Sequence, residues 1–149
     1  MAMEAMDTAA IYEFLRQHRY AVVSSISAGG SSQSALVGIA VTPQLEIVFD
    51  TLKTSRKYPN LIERPACSLV IGWVGEQTLQ FEGTAFEPRG PELERYQQAY
   101  FAALPDGPAR MDWPHIAWLV VRPRWLRFSD YDQAPPLIEE MNFPAASSN

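Results

Sequence analysis

Apolar positions along this chain follow two spacings, one helical and one alternating. From Asp7 to about Arg19 they fall at Ile11, Phe14, Leu15 and His18, one face of a helix that Asp7-Thr8 can cap. Such a short helix is expected to lie over the mouth of a barrel. The spacing then changes to alternation. Tyr20 to Ser27 reads as a strand, Ala28-Gly29-Gly30 as a hairpin turn, and Ser32 to Val41 as the returning strand. Thr42-Pro43-Gln44 turns the chain into a third strand, Leu45 to Asp50. A helix-like run follows from Tyr58 to Arg64. Pro59 inside it predicts an irregular first turn or a restart there, and Pro65 ends it.

Ala66 to Trp73 is nearly all apolar, as a central strand would be. Val74-Gly75-Glu76 turns it back into Gln77 to Phe86, where Leu79, Phe81, Gly83 and Ala85 alternate with polar residues. Pro91 to Leu104 reads as a helix with Leu93, Tyr96, Tyr100 and Leu104 as its apolar stripe, stopped by Pro105-Asp106-Gly107-Pro108. His115 to Val121 and Trp125 to Tyr131 read as two last strands, separated by Arg122-Pro123-Arg124. The tail from Gln133, with Pro135, Pro136 and Pro144, is expected to be poorly ordered unless a partner holds it. About seven hairpin-linked strands with helices set at their ends predict a mainly β fold, an antiparallel Greek-key-like barrel with flanking helices. One domain spans 1–132, with 133–149 as its tail.

Composition narrows the partners. With 149 residues and 47% hydrophobic content the chain can bury a real core. A net charge of -5 argues against nucleic acid or an anionic membrane. No run reaches the about 18 apolar residues of a membrane span, and Met1 to Ala10 lacks the basic cluster of a signal peptide. One cysteine, Cys67, excludes an internal disulfide, and with only two histidines a dedicated metal site is not expected. Together these features read as cytoplasmic.

The chemistry concentrates at Thr51-Leu-Lys-Thr-Ser-Arg-Lys57, between the apolar run Glu46-Ile-Val-Phe49 and the next helix. A strand-to-helix junction offers free backbone N–H groups and the positive end of a helix dipole. Arg56 can grip a phosphate with a two-pronged fork, and Lys57 adds a point charge. Two readings fit: a phosphate seat for a nucleotide-like ligand, or a plain helix start capped by Thr54 or Ser55 with solvated cations.

The ordered set Phe49-Asp50-Thr51, Ser55-Arg56-Lys57, Pro65, Trp73, Gln77 and Gly83 resembles the pyridoxamine 5'-phosphate oxidase-like, FMN-binding split-barrel proteins. The match runs from about Tyr20 to Glu87, and the last strands fit it more loosely. The resemblance implies a split β-barrel homodimer with FMN at the subunit interface. Arg56 and Lys57 would hold the FMN phosphate, with Asp50, Thr51 and Ser55 beside them. Gln77 would face the isoalloxazine edge, and Ala35-Leu36-Val37 would offer backbone groups to the ring. Where the true oxidase grips its substrate phosphate, this chain has Ala40, Tyr96, Tyr100 and Leu104, and it has no C-terminal Arg-x-His. A phenol and an isobutyl group do not replace a guanidinium and a hydroxyl. Tyr96 and Tyr100 read most simply as helix core. Any pocket they line would suit a flat, neutral ligand.

Other residues have simpler readings beside the flavin ones. Trp73 fits a strand-end core position as well as a flavin contact, and Gln77 fits a surface strand position as well as the flavin edge. Cys67 reads as a small buried hydrophobe and His115 as structural. The aromatics Phe81, Trp118, Trp125 and Phe128 are expected to leave apolar area for a second copy to cover.

Three functions are therefore in view. One is a flavin-dependent oxidoreductase of unknown organic substrate, distinct from a pyridoxamine phosphate oxidase. Another is an FMN-binding sensor, store or stress-associated protein without turnover. The third is the same fold holding a deazaflavin or haem.

Overall fold

The computed structural model describes residues 7–144. Readings that fall on 1–6 and 145–149 lie outside the described residues. Helix α1 (Thr8–Arg16) opens with the Ala10 N–H donating to Asp7 Oδ1 at 2.9 Å and buries Ile11, Phe14 and Leu15. It stops short of Arg19, and His18 instead stacks beside Phe14, ring centroids 4.6 Å apart.

Among the described residues eight strands follow α1. They are β1 (Tyr20–Ile26), β2 (Ser32–Gly38), β3 (Ala40–Val41), β4 (Ile47–Leu52), β5 (Ala66–Ile71), β6 (Gln77–Phe86), β7 (Ile116–Asp130) and β8 (Leu137–Asn142). Their order is β2-β1-β5-β6-β7-β4-β3, with β8 also on β7, and every pairing is antiparallel. Edge strand β2 lies beside β4 without a ladder between them, so the curled sheet closes except along one seam. The interior is filled by Val23, Phe49, Leu69, Leu79, Phe81 and Leu119, with α1 and α2 (Lys57–Glu63) packed against it. On the outer face of β4 and β7, helix α3 (Gly90–Ala103) covers Val48, Trp118 and Val120 with Tyr96, Tyr100 and the following Leu104. This is the split β-barrel with flanking helices.

Several elements differ from the sequence pattern, each for a local reason. The returning strand splits at Ile39, so that β2 pairs with β1 while β3 pairs with β4. Ile39 donates its N–H to the Arg19 carbonyl instead, at 2.8 Å. Strand β4 starts at Ile47 because Leu45 has φ 64, a left-handed turn conformation that cannot continue a strand. Helix α2 begins at Lys57 without a break. Pro59 sits in its first turn, where the missing N–H has no carbonyl to reach.

The expected pair of last strands is one continuous strand, β7. Pro123 falls opposite Gly83 at an irregularity in the β6–β7 register, where a lost ladder bond costs little. The tail is also corrected. Leu137–Asn142 pairs with β7 from Asp130 to Trp125, and Leu137 and Met141 pack against the core. The aromatic stripe is corrected as well: Phe81, Trp118 and Phe128 are buried within the single chain. Among the described residues no helix is long and apolar enough to cross a membrane.

Candidate functional site

The β4–α2 junction stands at the seam of the barrel. β4 carries Ile47 and Phe49 into the interior and Asp50 to the α3 side, then ends at Thr51-Leu52. Thr51 is buried, and its hydroxyl pairs with that of Ser55 at 3.0 Å, which ties the strand end to the turn. The chain then enters α2 with Arg56 as the N-cap residue, and no side chain caps that end. Neither Thr54 nor Ser55 acts as the cap.

Facing the junction across the seam is β2. Val23, Ser25, Gln33, Ser34 and Ala35 line a cavity of about 140 Å³ with Arg56 and Lys57. Asn60, one turn further along α2 and buried, donates to Ser25 Oγ at 3.1 Å and Gln33 Oε1 at 2.9 Å, which docks the helix on the β1–β2 hairpin. Asn60, Ser25 and Gln33 escaped the sequence reading. The available signal was the placement of Asn60, one turn from Arg56 on the face that also carries Leu61.

The two cations differ. Arg56 is exposed and makes no ion pair among the described residues. Lys57 is half-buried, and that burial lowers its pKa, with the Asp50 carboxylate offsetting part of the effect. A half-desolvated ammonium is one that an arriving anion stabilises. Asp50 itself is taken up by Arg110, whose Nε donates to Asp50 Oδ2 at 2.8 Å. Arg110 also donates to the Tyr100 hydroxyl at 3.0 Å, and it comes from a short 3-10 turn, Gly107–Arg110, that follows α3. Burial, with Asp50 nearby, raises the Tyr100 pKa.

Of the residues singled out in the sequence, Ala35, Arg56 and Lys57 share this cavity, and Asp50, Thr51 and Ser55 support it. Leu36 is 62% exposed on the outer face of β2, while Val37 points into the core. Gln77 is not brought here. It opens β6 and donates to Asp130 Oδ2 at 3.1 Å. The run from Gln77 to Glu82, which pairs through Ser68 with Ser24, is about 17 Å long. Gln133, Gln77 and the Asp132 N–H all bond Asp130 and hold its carboxyl below the usual range.

Trp73 is exposed in the β5–β6 connection rather than packed in the core, and His115 is exposed with φ 65. Cys67 is half-buried, and burial pushes its thiol up to about 12. Tyr96 and Tyr100 are core residues, 2% and 1% exposed.

No curated protein matches the sequence. Solved structures of low identity share the fold. A haem binding protein from Mycobacterium smegmatis has TM-score 0.78 and 16% identity, covering 95% of this chain and 59% of its own. The chain thus spans 59% of that protein's length. A conserved hypothetical protein from Mycobacterium tuberculosis has TM-score 0.73 and 22% identity, covering 99% and 98%. A pyridoxamine 5'-phosphate oxidase-related, FMN binding protein from Nostoc punctiforme has TM-score 0.63 and 10% identity, covering 91% and 94%. The pyridoxamine 5'-phosphate oxidase family model matches residues 7–130, through all but the last strand, and the chain belongs to that family.

Proposed function

We propose that this chain binds FMN at the barrel seam and serves as a flavin-dependent oxidoreductase acting on a small organic substrate. One observation carries the reading. The junction after β4 brings exposed Arg56 and half-desolvated Lys57 to a small cavity bordered by the edge strand β2. That donor set fits a phosphate dianion, with a guanidinium fork, an ammonium and uncapped helical N–H groups. The cavity of about 140 Å³ is too small for a whole flavin, since pockets for ligands of that size run from about 300 Å³ upward. One chain therefore supplies the phosphate seat and the β2 edge, and a second copy closes the slot.

The outer face of the β2–β1–β5 sheet supports that pairing. The register sets Leu36 and Val70 on either side of Val22, with both outer residues exposed, beside a row of Ser34, Ser24 and Ser68. A flat face of apolar and small residues is suited to a homodimer. Gln77, remote within its own chain, can then serve only a flavin shared between copies.

Bound FMN supplies hydride chemistry without a protein nucleophile. The chain's own residues bind the tail, orient the ring along β2 and exclude water. Pyridoxamine phosphate is disfavoured as substrate because Ala40, Tyr100 and Leu104 form a packed apolar cluster, and the Arg110 guanidinium that reaches the Tyr100 hydroxyl is already paired with Asp50. Haem is disfavoured at the seam because the lining residues there include none of the His, Cys, Met or Tyr side chains that ligate its iron.

The test is the absorption spectrum and mass of the ligand that copurifies, followed by addition of NADH or NADPH with an electron acceptor. A flavin spectrum with turnover supports the oxidoreductase. Bound flavin that is never reduced indicates the non-catalytic sensor or store, and a Soret or deazaflavin spectrum overturns the FMN assignment.

A further inference from the structure

A second cavity, of about 800 Å³, opens on the α3 side of the sheet at the start of β4. Glu46 there is remote from the flavin seat, because the extended run from Glu46 along β4 to Thr51 is about 17 Å long. The floor is a buried carboxylate whose bonds are already made. Glu46 accepts from the Tyr96 hydroxyl at 2.6 Å, from Thr42 Oγ1 at 3.1 Å and from Arg122 Nε at 3.4 Å. The guanidinium of Arg122 lies 4.1 Å from the centroid of the Phe86 ring, so carboxylate and ring together fix its plane.

Two further arginines line the same space. Arg124 makes no ion pair among the described residues, and Arg95 has only Glu92, at 4.0 Å. Three guanidiniums thus share one cavity with a single buried carboxylate, in a chain whose net charge is -5. Phe86 and Phe143 supply apolar walls.

From this geometry we infer a second ligand site, for a small organic anion that joins a planar apolar body to a carboxylate or phosphate head. Arg122 and Arg124 grip the head, since guanidinium forks match both oxyanions, and the body lies against Phe86 and Phe143. Arg122 is held by Glu46 and stacked on Phe86, so little side-chain freedom is lost when the anion arrives. This inference stands independently of the flavin reading.

The test uses phenyl phosphate, benzoate and neutral benzyl alcohol as probes, titrated by calorimetry into the Arg56→Ala protein, so that the seam contributes no phosphate binding. Saturable binding of phenyl phosphate or benzoate is expected, at least about tenfold tighter than benzyl alcohol. Whichever of the two binds tighter identifies the preferred head group. Arg124→Gln, at an exposed position, is expected to weaken the anion at least about fivefold with an unchanged melting temperature, and Arg122→Gln to weaken it further. In the otherwise native protein neither substitution should change FMN affinity. Failure of both anions to saturate at about 10 mM, equal binding of benzyl alcohol, or undiminished binding in Arg122→Gln and Arg124→Gln would each overturn the inference.

Discussion

Removing Arg110 should weaken FMN binding although Arg110 lies outside the proposed seat. Arg110 holds Asp50 at 2.8 Å, and the two side chains are 20% and 13% exposed. Asp50 already acts electrostatically on Lys57. In Arg110→Met the carboxylate is left mostly buried, with its charge directed at Lys57, the cation proposed to hold the phosphate. Breaking a fully buried pair costs about 3–5 kcal/mol and an exposed one about 0–1, so this intermediate pair is expected to cost about 2 kcal/mol. Asp50→Asn/Arg110→Met should recover most of that, giving a coupling of about 1.5 kcal/mol in urea melts. The same cycle has a functional readout. FMN affinity should fall several-fold in Arg110→Met, return in the double variant, and stay level for riboflavin throughout. A coupling below about 0.5 kcal/mol, or equal losses for FMN and riboflavin, would refute the electrostatic link between Asp50 and the seat.

Three further outcomes are expected. Gly83→Ala should lower the melting temperature by about 6–12 °C, because the new Cβ would press on the Arg122 carbonyl and stand 2.7 Å from Val121 Cγ1, whereas Gly29→Ala, with open space, should be near neutral. Cys67 should resist alkylation at pH 8 when folded and react fully in urea. Its thiol is pushed up to about 12 in the fold, so its contribution to stability is complete below the unfolded pKa of about 8.5 and is lost as pH rises toward the folded value, and Cys67→Ala should flatten that slope. Light scattering should give a dimer near twice 16.7 kDa, and Leu36→Asp should shift it toward monomer with weaker FMN binding; a monomer that still binds FMN fully would contradict a shared slot.

The strands of this fold were legible because alternation is a local signal. Gln77–Phe86 appears in the sequence with the bounds it has in the structure, since its inward residues Leu79, Phe81, Gly83 and Ala85 alternate without interruption. The errors lie where a long-range partner overrides a local cue. Pro123 reads as a break, but Gly83 opposite it absorbs the irregularity and β7 runs on. The proline-rich tail reads as loose, yet β7 offers an unpaired edge for Leu137–Asn142. Phe81, Trp118 and Phe128 read as surplus apolar area, although two separate clusters, one inside the barrel and one under α3, bury them.

The candidate site divides in the same way. Arg56 and Lys57 announce themselves by charge at a strand–helix junction. The neighbours that shape their cavity, Ser25, Gln33 and Asn60, meet only through tertiary packing, and no short motif marks them. Arg110 was equally hidden, because its role depends on a turn after α3 folding back onto Asp50.

The most direct test of the account is a comparison of FMN and riboflavin affinities in the native protein and in Arg56→Ala, by fluorescence titration of the ligand-free protein. The two ligands differ only by the phosphate assigned to the β4–α2 junction. The account predicts that FMN binds at least about tenfold more tightly than riboflavin and that Arg56→Ala removes most of that advantage while leaving riboflavin unchanged. Equal affinities in the native protein, or parallel losses for both ligands in the variant, would contradict it.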